Sequence, residues 1–140
     1  MEKQVIYFFG SIKGEKSDTN LRNSLISHLK MYGEVIDEHF YSQRPPSIWD
    51  RDMKNIAKAT VLVGEVTAAS TGAGIEIGTV LERNRWVEDR MKKRILCLYR
   101  TPEERTSGLI TDCTLPNFSR GRYSALEEAF GIIDEFFQNP

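Results

Sequence analysis

A chain of 140 residues is long enough to bury one substantial hydrophobic core but too short for two domains of ordinary size. The formal net charge of −1 and the hydrophobic content of 40% give no electrostatic reason to expect binding to a nucleic-acid polymer or a membrane. The two cysteines, Cys97 and Cys113, form neither a disulfide framework nor a metal-binding pattern. We therefore expect a reducing setting, the cytoplasm or, in a eukaryotic cell, the nucleus.

The first part of the chain predicts a strand, a helix and a second strand. Residues 5–9 form a short run of β-branched and aromatic side chains, which is typical of a buried strand. A helix should follow, capped by Asp18 or Thr19, because leucines then recur every four residues and make an apolar stripe. Residues 34–39 mix charged and aliphatic side chains, which favours a second strand.

The middle of the chain predicts a mobile rim, a helix and a central strand. Residues 41–49 contain two adjacent prolines and are expected to be irregular. Ser47 is a candidate cap for the helix that carries Asp52. An apolar run that starts at Val61 then reads as a buried strand, followed by a loop of small residues. We expect a helix over residues 75–87, so that Glu76 lies in its first turn.

The last part predicts two more strands and a closing helix. A fourth strand is expected over residues 94–99, a loop with one short helix over residues 101–112, and a short edge strand over residues 118–123. Residues 124–127 have the pattern of a capping box, and an apolar stripe follows it. Alternation of strands and helices predicts one domain over residues 1–140, an α/β fold with a five-stranded parallel, flavodoxin-like (Rossmann-like) sheet flanked by helices on both faces.

In such a sheet the loops after the first three strands meet at one edge, where ligands bind. This edge should bring together a tyrosine, a histidine, two carboxylates and several serines and glycines. The side chains in question include Tyr7, His39, Asp52, Ser70 and Glu76. A carboxylate pair suits cleavage of a glycosidic bond, and hydroxyl and glycine N–H groups near a helix start suit a phosphate.

Simpler explanations exist for both carboxylates. An acid near a helix N-terminus is favoured by the helix dipole alone, which would account for Glu76. Asp52 could pair with Arg51 or Lys54 on a solvated helix face. Familiar nucleotide motifs do not decide the question, because the spacing of the glycines matches neither the Walker loop nor the dinucleotide fingerprint. The residues alone do not decide whether these two carboxylates have a functional or a structural role.

Five ordered segments, at compatible spacing, resemble one protein family. They are YFFGSIKG at residues 7–14, Glu38 with His39, Asp52, the run EVT through SxGxGIEIG between residues 65 and 78, and KRILCLYR at residues 93–100. The pattern resembles the nucleoside 2-deoxyribosyltransferase superfamily and, within it, the 2′-deoxynucleoside 5′-phosphate N-hydrolases. The resemblance extends from about Val5 to Arg100, and residues 1–140 are expected to form a single domain of this type.

The resemblance implies a role for each candidate residue. Glu76 would attack the anomeric carbon of the deoxyribose, Tyr7 would orient that carboxylate, and Asp52 would help protonate the leaving base. Substrate-binding roles fall to two further groups. The residues implied to line the base pocket are Ile12, Lys13 and His39, and those implied to hold the 5′-phosphate are Ser11, Ser70, Gly72 and, from the neighbouring subunit, Ser119.

The activity implied is hydrolysis of the N-glycosidic bond of 2′-deoxynucleoside 5′-monophosphates by a homodimer with shared active sites and no cofactor or metal. Ser70 favours a nucleotide over a nucleoside, since a carboxylate there would repel the phosphate. Three alternatives remain open. They are a nucleoside 2-deoxyribosyltransferase, a ribonucleotide N-glycosidase of the CMP type, and a nucleotide-binding module without catalysis.

Overall fold

The computed structural model describes residues 3–10, 16–37, 46–68, 70–100 and 106–140. Within them five strands form one parallel sheet: β1 (Gln4–Gly10), β2 (Gly33–Asp37), β3 (Val61–Glu65), β4 (Arg94–Arg100) and β5 (Phe118–Tyr123). The helices are α1 (Lys16–Leu29), α2 (Ile48–Lys58), α3 (Thr71–Asn84), α4 (Gly108–Thr111) and α5 (Leu126–Gln138), with a 3₁₀ turn at Asp89–Met91. None of the described helices is both long and apolar enough to cross a membrane.

The strands lie in the order β2-β1-β3-β4-β5, which is the flavodoxin-like order. The predicted fold class is therefore confirmed. β1 and β3 are central, and both are almost completely buried. Strands buried on both faces need continuous apolar runs, which is why both could be recognised in the sequence.

Helices cover both faces of the sheet, and each face has its own hydrophobic cluster. Alternate residues of a strand point to opposite faces. Val61 and Val63 of β3 therefore pack with α1 and α5, whereas Leu62 packs with α2 and α3. Full burial of one such aliphatic side chain stabilises the fold by roughly 1.5–3 kcal/mol. The two clusters together fix the sheet between its helical layers.

This arrangement places a topological switch point between β1 and β3. α1 follows β1 on one face, and α3 follows β3 on the other, so a crevice opens at the carboxyl ends of these two strands. Gly10 ends β1 with a φ of +153°. A Cβ there would collide with the backbone carbonyl of Glu65. Glycine therefore lets the two central strands approach closely at the edge where the candidate site lies.

α3 begins four residues earlier than the sequence predicts and also ends earlier. It runs from Thr71 to Asn84, and the Ser70 hydroxyl accepts a hydrogen bond from the Ala73 N–H at 3.2 Å. The predicted start at residue 75 followed the apolar periodicity, whereas the cap sets the start of the helix. Glu76 is thus the sixth residue of α3 and lies in its second turn. The prediction of Glu76 in the first turn is wrong.

Two other predicted helix caps need correction, and the predicted rim overlaps the start of α2. α1 begins at Lys16, so Asp18 and Thr19 lie inside it and do not cap it. Ser47 caps α2 as predicted, accepting from the Asp50 N–H at 3.1 Å, although Trp49, assigned to the irregular rim, lies in the first turn. In α5 the cap residue is Ala125, whose N–H donates to Glu128 at 3.2 Å. Alanine has no side-chain acceptor, so only the glutamate half of the predicted capping box is present, and Glu128 forms it instead of Glu127.

Candidate active site

A tyrosine and a glutamate meet on the α2 and α3 side of the switch point. The hydroxyl of Tyr7, in β1, donates a hydrogen bond to Oε1 of Glu76, in α3, at 3.3 Å, although 69 positions separate them in the sequence. Tyr7 is fully buried, and Glu76 is 6% exposed. A carboxylate with so little access to water needs polar partners. The phenol both satisfies one oxygen and fixes the direction of the carboxyl group.

The helix dipole does not explain the position of Glu76. The influence of the dipole fades within the first turn of a helix, and Glu76 lies in the second. Its side chain is also buried, unlike that of an acid placed on a helix end for solvation. The simpler explanation for this residue therefore loses its basis.

Asp52 combines features of the two explanations offered for it. It pairs with Arg51, with Nε and Oδ1 2.8 Å apart, as the simpler explanation expected. The pair does not lie on a solvated face, however, because Asp52 is only 8% exposed. Asp52 is the fifth residue of α2, and the start of α2 lies at the carboxyl edge of the sheet because the helix follows β2. Asp52 thus lies on the same helical layer as Glu76 and toward the same edge.

The start of α3 offers backbone donors beside Glu76. The first N–H groups of a helix have no partner within the helix itself, and they attract anions. Here the Ser70 hydroxyl accepts a hydrogen bond from the Ala73 N–H. The backbone N–H groups of the first two helical positions belong to Thr71 and Gly72. The added Cβ of a side chain at Gly72 would meet nothing closer than 3.9 Å. The predicted residues Ser70 and Gly72 therefore stand together at a helix N-terminus.

Of the remaining predicted binding residues, the structure describes only Ser119. Ser11, Ile12, Lys13 and His39 lie outside the residues that the structure describes. Ser119 is half-buried in the edge strand β5 and pairs with Leu96. Leu98, two residues further along β4, pairs with Glu65 at the carboxyl edge. Ser119 thus lies below the carboxyl edge of the sheet, in a strand that is not adjacent to the switch point.

Sequence reasoning missed a third buried carboxylate at the same edge. Glu65, the last residue of β3, is 4% exposed. It accepts hydrogen bonds from the Tyr123 hydroxyl and from the Thr67 N–H, the latter at 2.7 Å, and Arg100 Nε lies 3.6 Å away. An acid at the end of a fully apolar run was the available signal, since such an acid must be either solvated or paired.

The cysteines and metal-binding groups do not contribute to this site. Burial, and to a smaller extent the nearby Cys113, raise the pKa of the Cys97 thiol to about 12, so Cys97 is a core residue and not a nucleophile. Across the described part of the chain, no group of three or more histidine, cysteine, aspartate or glutamate side chains could hold a metal ion. The described groups at this edge that could take part in chemistry are carboxylates, a phenol and backbone donors.

The fold and the site together define the class of protein. A parallel sheet of flavodoxin order has at its switch point a buried tyrosine–glutamate pair, a buried aspartate and a capped helix start. This is the arrangement of an α/β enzyme that acts on a small molecule in the crevice beyond the strands.

Comparison with known proteins identifies the family. The chain is 35% identical to a protein of Trichoplax adhaerens provisionally named 2′-deoxynucleoside 5′-phosphate N-hydrolase 1, over 98% of this chain and 95% of that protein. It is 32% identical to the 5-hydroxymethyl-dUMP N-hydrolase of Esox lucius, over 95% of each chain. The human 5-hydroxymethyl-dUMP N-hydrolase is also 32% identical, over 97% of this chain and 80% of that protein.

The chain therefore belongs to the 2′-deoxynucleoside 5′-phosphate N-hydrolase family, and the predicted resemblance is confirmed. The prediction of an enzyme of the N-glycosidase class is confirmed with it. No protein-family model matches the chain.

Solved structures support the fold. The CMP N-glycosidase of Clostridium botulinum superposes with a TM-score of 0.70 at 20% identity, covering 95% of this chain and 99% of that one. A conserved protein of Enterococcus faecalis gives a TM-score of 0.60 at 12% identity, covering 96% and 99%. At such identities the likeness concerns the fold alone.

Proposed function

We propose that the protein hydrolyses the N-glycosidic bond of 2′-deoxynucleoside 5′-monophosphates through a covalent intermediate on Glu76. The observation that carries this proposal is the buried Tyr7–Glu76 pair at the switch point. Family membership supports the class of reaction, and the names of the relatives, which specify deoxynucleotides, support the class of substrate.

In the first step a carboxylate oxygen of Glu76 attacks C1′ of the deoxyribose. The new C1′–O bond forms as the C1′–N bond breaks, and the bonding electron pair leaves with the base. Asp52, on the neighbouring helix of the same layer, helps protonate the departing base. Tyr7 keeps the attacking carboxyl group in place with its 3.3 Å hydrogen bond, which reduces the entropy that must be lost in reaching the transition state.

In the second step water attacks C1′ of the glycosyl ester and gives up a proton to Asp52, which replaces the proton that passed to the base. The C1′–O bond to Glu76 breaks, which regenerates the carboxylate and yields 2-deoxyribose 5-phosphate. A deoxyribosyltransferase would pass the same intermediate to a second base. The two outcomes therefore share the roles of Glu76 and Tyr7 and differ in what the pocket admits after the first base has left.

The phosphate supplies the preference for nucleotides. Ser70 and Gly72 offer a hydroxyl and a backbone N–H at the start of α3, and Ser11 completes this side of the site. A dianionic phosphate gains from helix N–H groups and would lose several kcal/mol against a carboxylate in the same place. On the base side the proposed lining residues are Ile12, Lys13 and His39.

A direct assay of base release tests the proposal. The protein should release free base from one or more of the common deoxynucleoside 5′-monophosphates and little from the corresponding nucleosides, as followed by liquid chromatography. Matched ribonucleotides in parallel reactions report whether a 2′-hydroxyl is accepted. No base release from any nucleotide would disprove the proposal. Base exchange on unphosphorylated nucleosides would instead support the transferase.

We further propose a homodimer in which Ser119 of the partner subunit completes the phosphate site. Its position in the edge strand β5, away from the carboxyl edge of its own sheet, makes a role across subunits the consistent one. The Ser119→Ala variant should have a raised KM for nucleotides, and Glu76→Gln should have no turnover. In co-refolded mixtures of the two variants, half of the dimers would be mixed and would contain one intact site, so about a quarter of all sites should regain wild-type behaviour.

The matched control for this experiment is the double variant Ser119→Ala/Glu76→Gln mixed with Glu76→Gln, in which no intact site can form. Activity is measured at a nucleotide concentration well below the KM of Ser119→Ala. If the first mixture is no more active than its separate components, the shared site is disproved, and the assignment of Ser119 fails with it.

A further inference from the structure

The third buried carboxylate, Glu65, lies on the opposite face of the sheet from the proposed nucleophile. Glu65 alternates with Val61 and Val63, whose side chains pack with α1 and α5. Tyr7, the partner of Glu76, belongs to the cluster on the α2 and α3 face. The two carboxylates thus flank the same edge of the sheet from its two sides.

Glu65 holds the chain segment that leaves β3. Its Oε1 accepts the Thr67 N–H at 2.7 Å. The hydroxyl of Thr67 in turn accepts the backbone N–H of Arg100 at 2.9 Å, and the carbonyl of Thr67 accepts the hydroxyl of Thr106 at 3.3 Å. Thr67 is therefore fixed through three of its groups, three residues before Ser70.

The other oxygen of Glu65 ties this segment to two more strands. Oε2 accepts the hydroxyl of Tyr123, at the end of β5, and lies 3.6 Å from Nε of Arg100, at the end of β4. A buried ionic cluster of this kind is often no more stabilising than apolar side chains of similar volume. A contribution to stability therefore does not account for this cluster. Fixing the position of the chain where it leaves β3 is a more specific role for it.

We propose that Glu65 is a positioning residue for the phosphate site. By fixing Thr67 it sets the position in space of the N-terminus of α3, and therefore the positions of Ser70 and the Gly72 N–H. The inference deepens the proposed function and rests on it. Because Glu65 lies on the face away from Glu76, its removal should change the affinity for phosphate more than the rate of the chemical step.

The test compares Glu65→Gln and Tyr123→Phe with the wild-type protein. Both variants should raise KM for the deoxynucleotide by about tenfold and change kcat by less than about threefold. This pattern is expected when the lost contact is equally strong in the ground state and in the transition state. The inhibition constant of 2-deoxyribose 5-phosphate should rise by the same factor, and that of the free base should not change. A variant that is merely less stable would not separate these two inhibitors.

Tyr32→Phe is the matched control. It also removes a hydrogen bond from a phenol to a carboxylate, since the hydroxyl of Tyr32, in the turn after α1, donates to Asp134 of α5 at 2.5 Å. It should leave KM and both inhibition constants unchanged. The inference is overturned if both variants of the Glu65 cluster keep the wild-type affinity for 2-deoxyribose 5-phosphate. Should Glu65→Gln fail to fold, Tyr123→Phe still decides.

The failure of this inference can be distinguished from the failure of the proposed function. An active wild-type enzyme whose variants bind 2-deoxyribose 5-phosphate normally would overturn only the role of Glu65. An inactive wild-type protein would overturn the proposed function. Calorimetric titration with 2-deoxyribose 5-phosphate would then still show whether Glu65→Gln weakens phosphate binding.

Discussion

Replacing Glu76 with glutamine is expected to reduce base release by at least about a thousandfold, the order of loss seen when a group acting at the reacting centre is removed. The amide has nearly the same shape as the carboxyl group, and its oxygen can still accept the hydrogen bond from Tyr7. It cannot form the glycosyl ester, however, because it is a poor nucleophile. The fold and the affinity for nucleotide should therefore survive while turnover is lost.

Two further measurements make this prediction specific. Glu82→Gln changes an acid on the same helix whose side chain is largely exposed, and it should leave kcat unchanged. Rapid-quench mass spectrometry on the wild-type protein should find, on the peptide that contains Glu76, an added mass equal to 2-deoxyribose 5-phosphate less one water. Near wild-type turnover in Glu76→Gln would show that another group is the nucleophile.

The fold was predictable because its strongest signals are local. The two central strands are apolar throughout, Gly10 ends β1, and helical segments separate successive strands. The start of α3 was missed for an equally local reason. Its first residues are small and carry no apolar periodicity, and the side chain of Ser70 determines where the helix begins.

The candidate site was predictable only in part. The meeting of Tyr7 and Glu76 followed from the family resemblance and from the rule that loops after neighbouring parallel strands share an edge. The surroundings of Asp52 could not be predicted in the same way. The sequence suggests Arg51 as its partner, but it does not indicate that the pair is buried. The environment of Glu65 was predictable only to the extent that an acid at the end of an apolar run needs partners. The sequence did not indicate that these partners are Tyr123 and Arg100.

Replacing Ser70 with aspartate should raise KM for deoxynucleotides by about a hundredfold or more without unfolding the protein. Aspartate caps a helix as well as serine does, so α3 should keep its start. The added charge would face the proposed phosphate, and like charges in a binding site cost several kcal/mol, where each 1.4 kcal/mol is a factor of ten in affinity. KM values from steady-state base release and the melting temperature are the two measurements.

Ser70→Asn separates charge from shape, because asparagine is an equally good cap and has nearly the volume of aspartate but is neutral. It should raise KM far less than Ser70→Asp, and the two variants should melt at similar temperatures. Equal KM values for both would mean that the phosphate does not bind at the start of α3. A large difference would locate the phosphate dianion at this helix N-terminus, in the same stretch of chain as Glu76, since only the charge distinguishes the two variants.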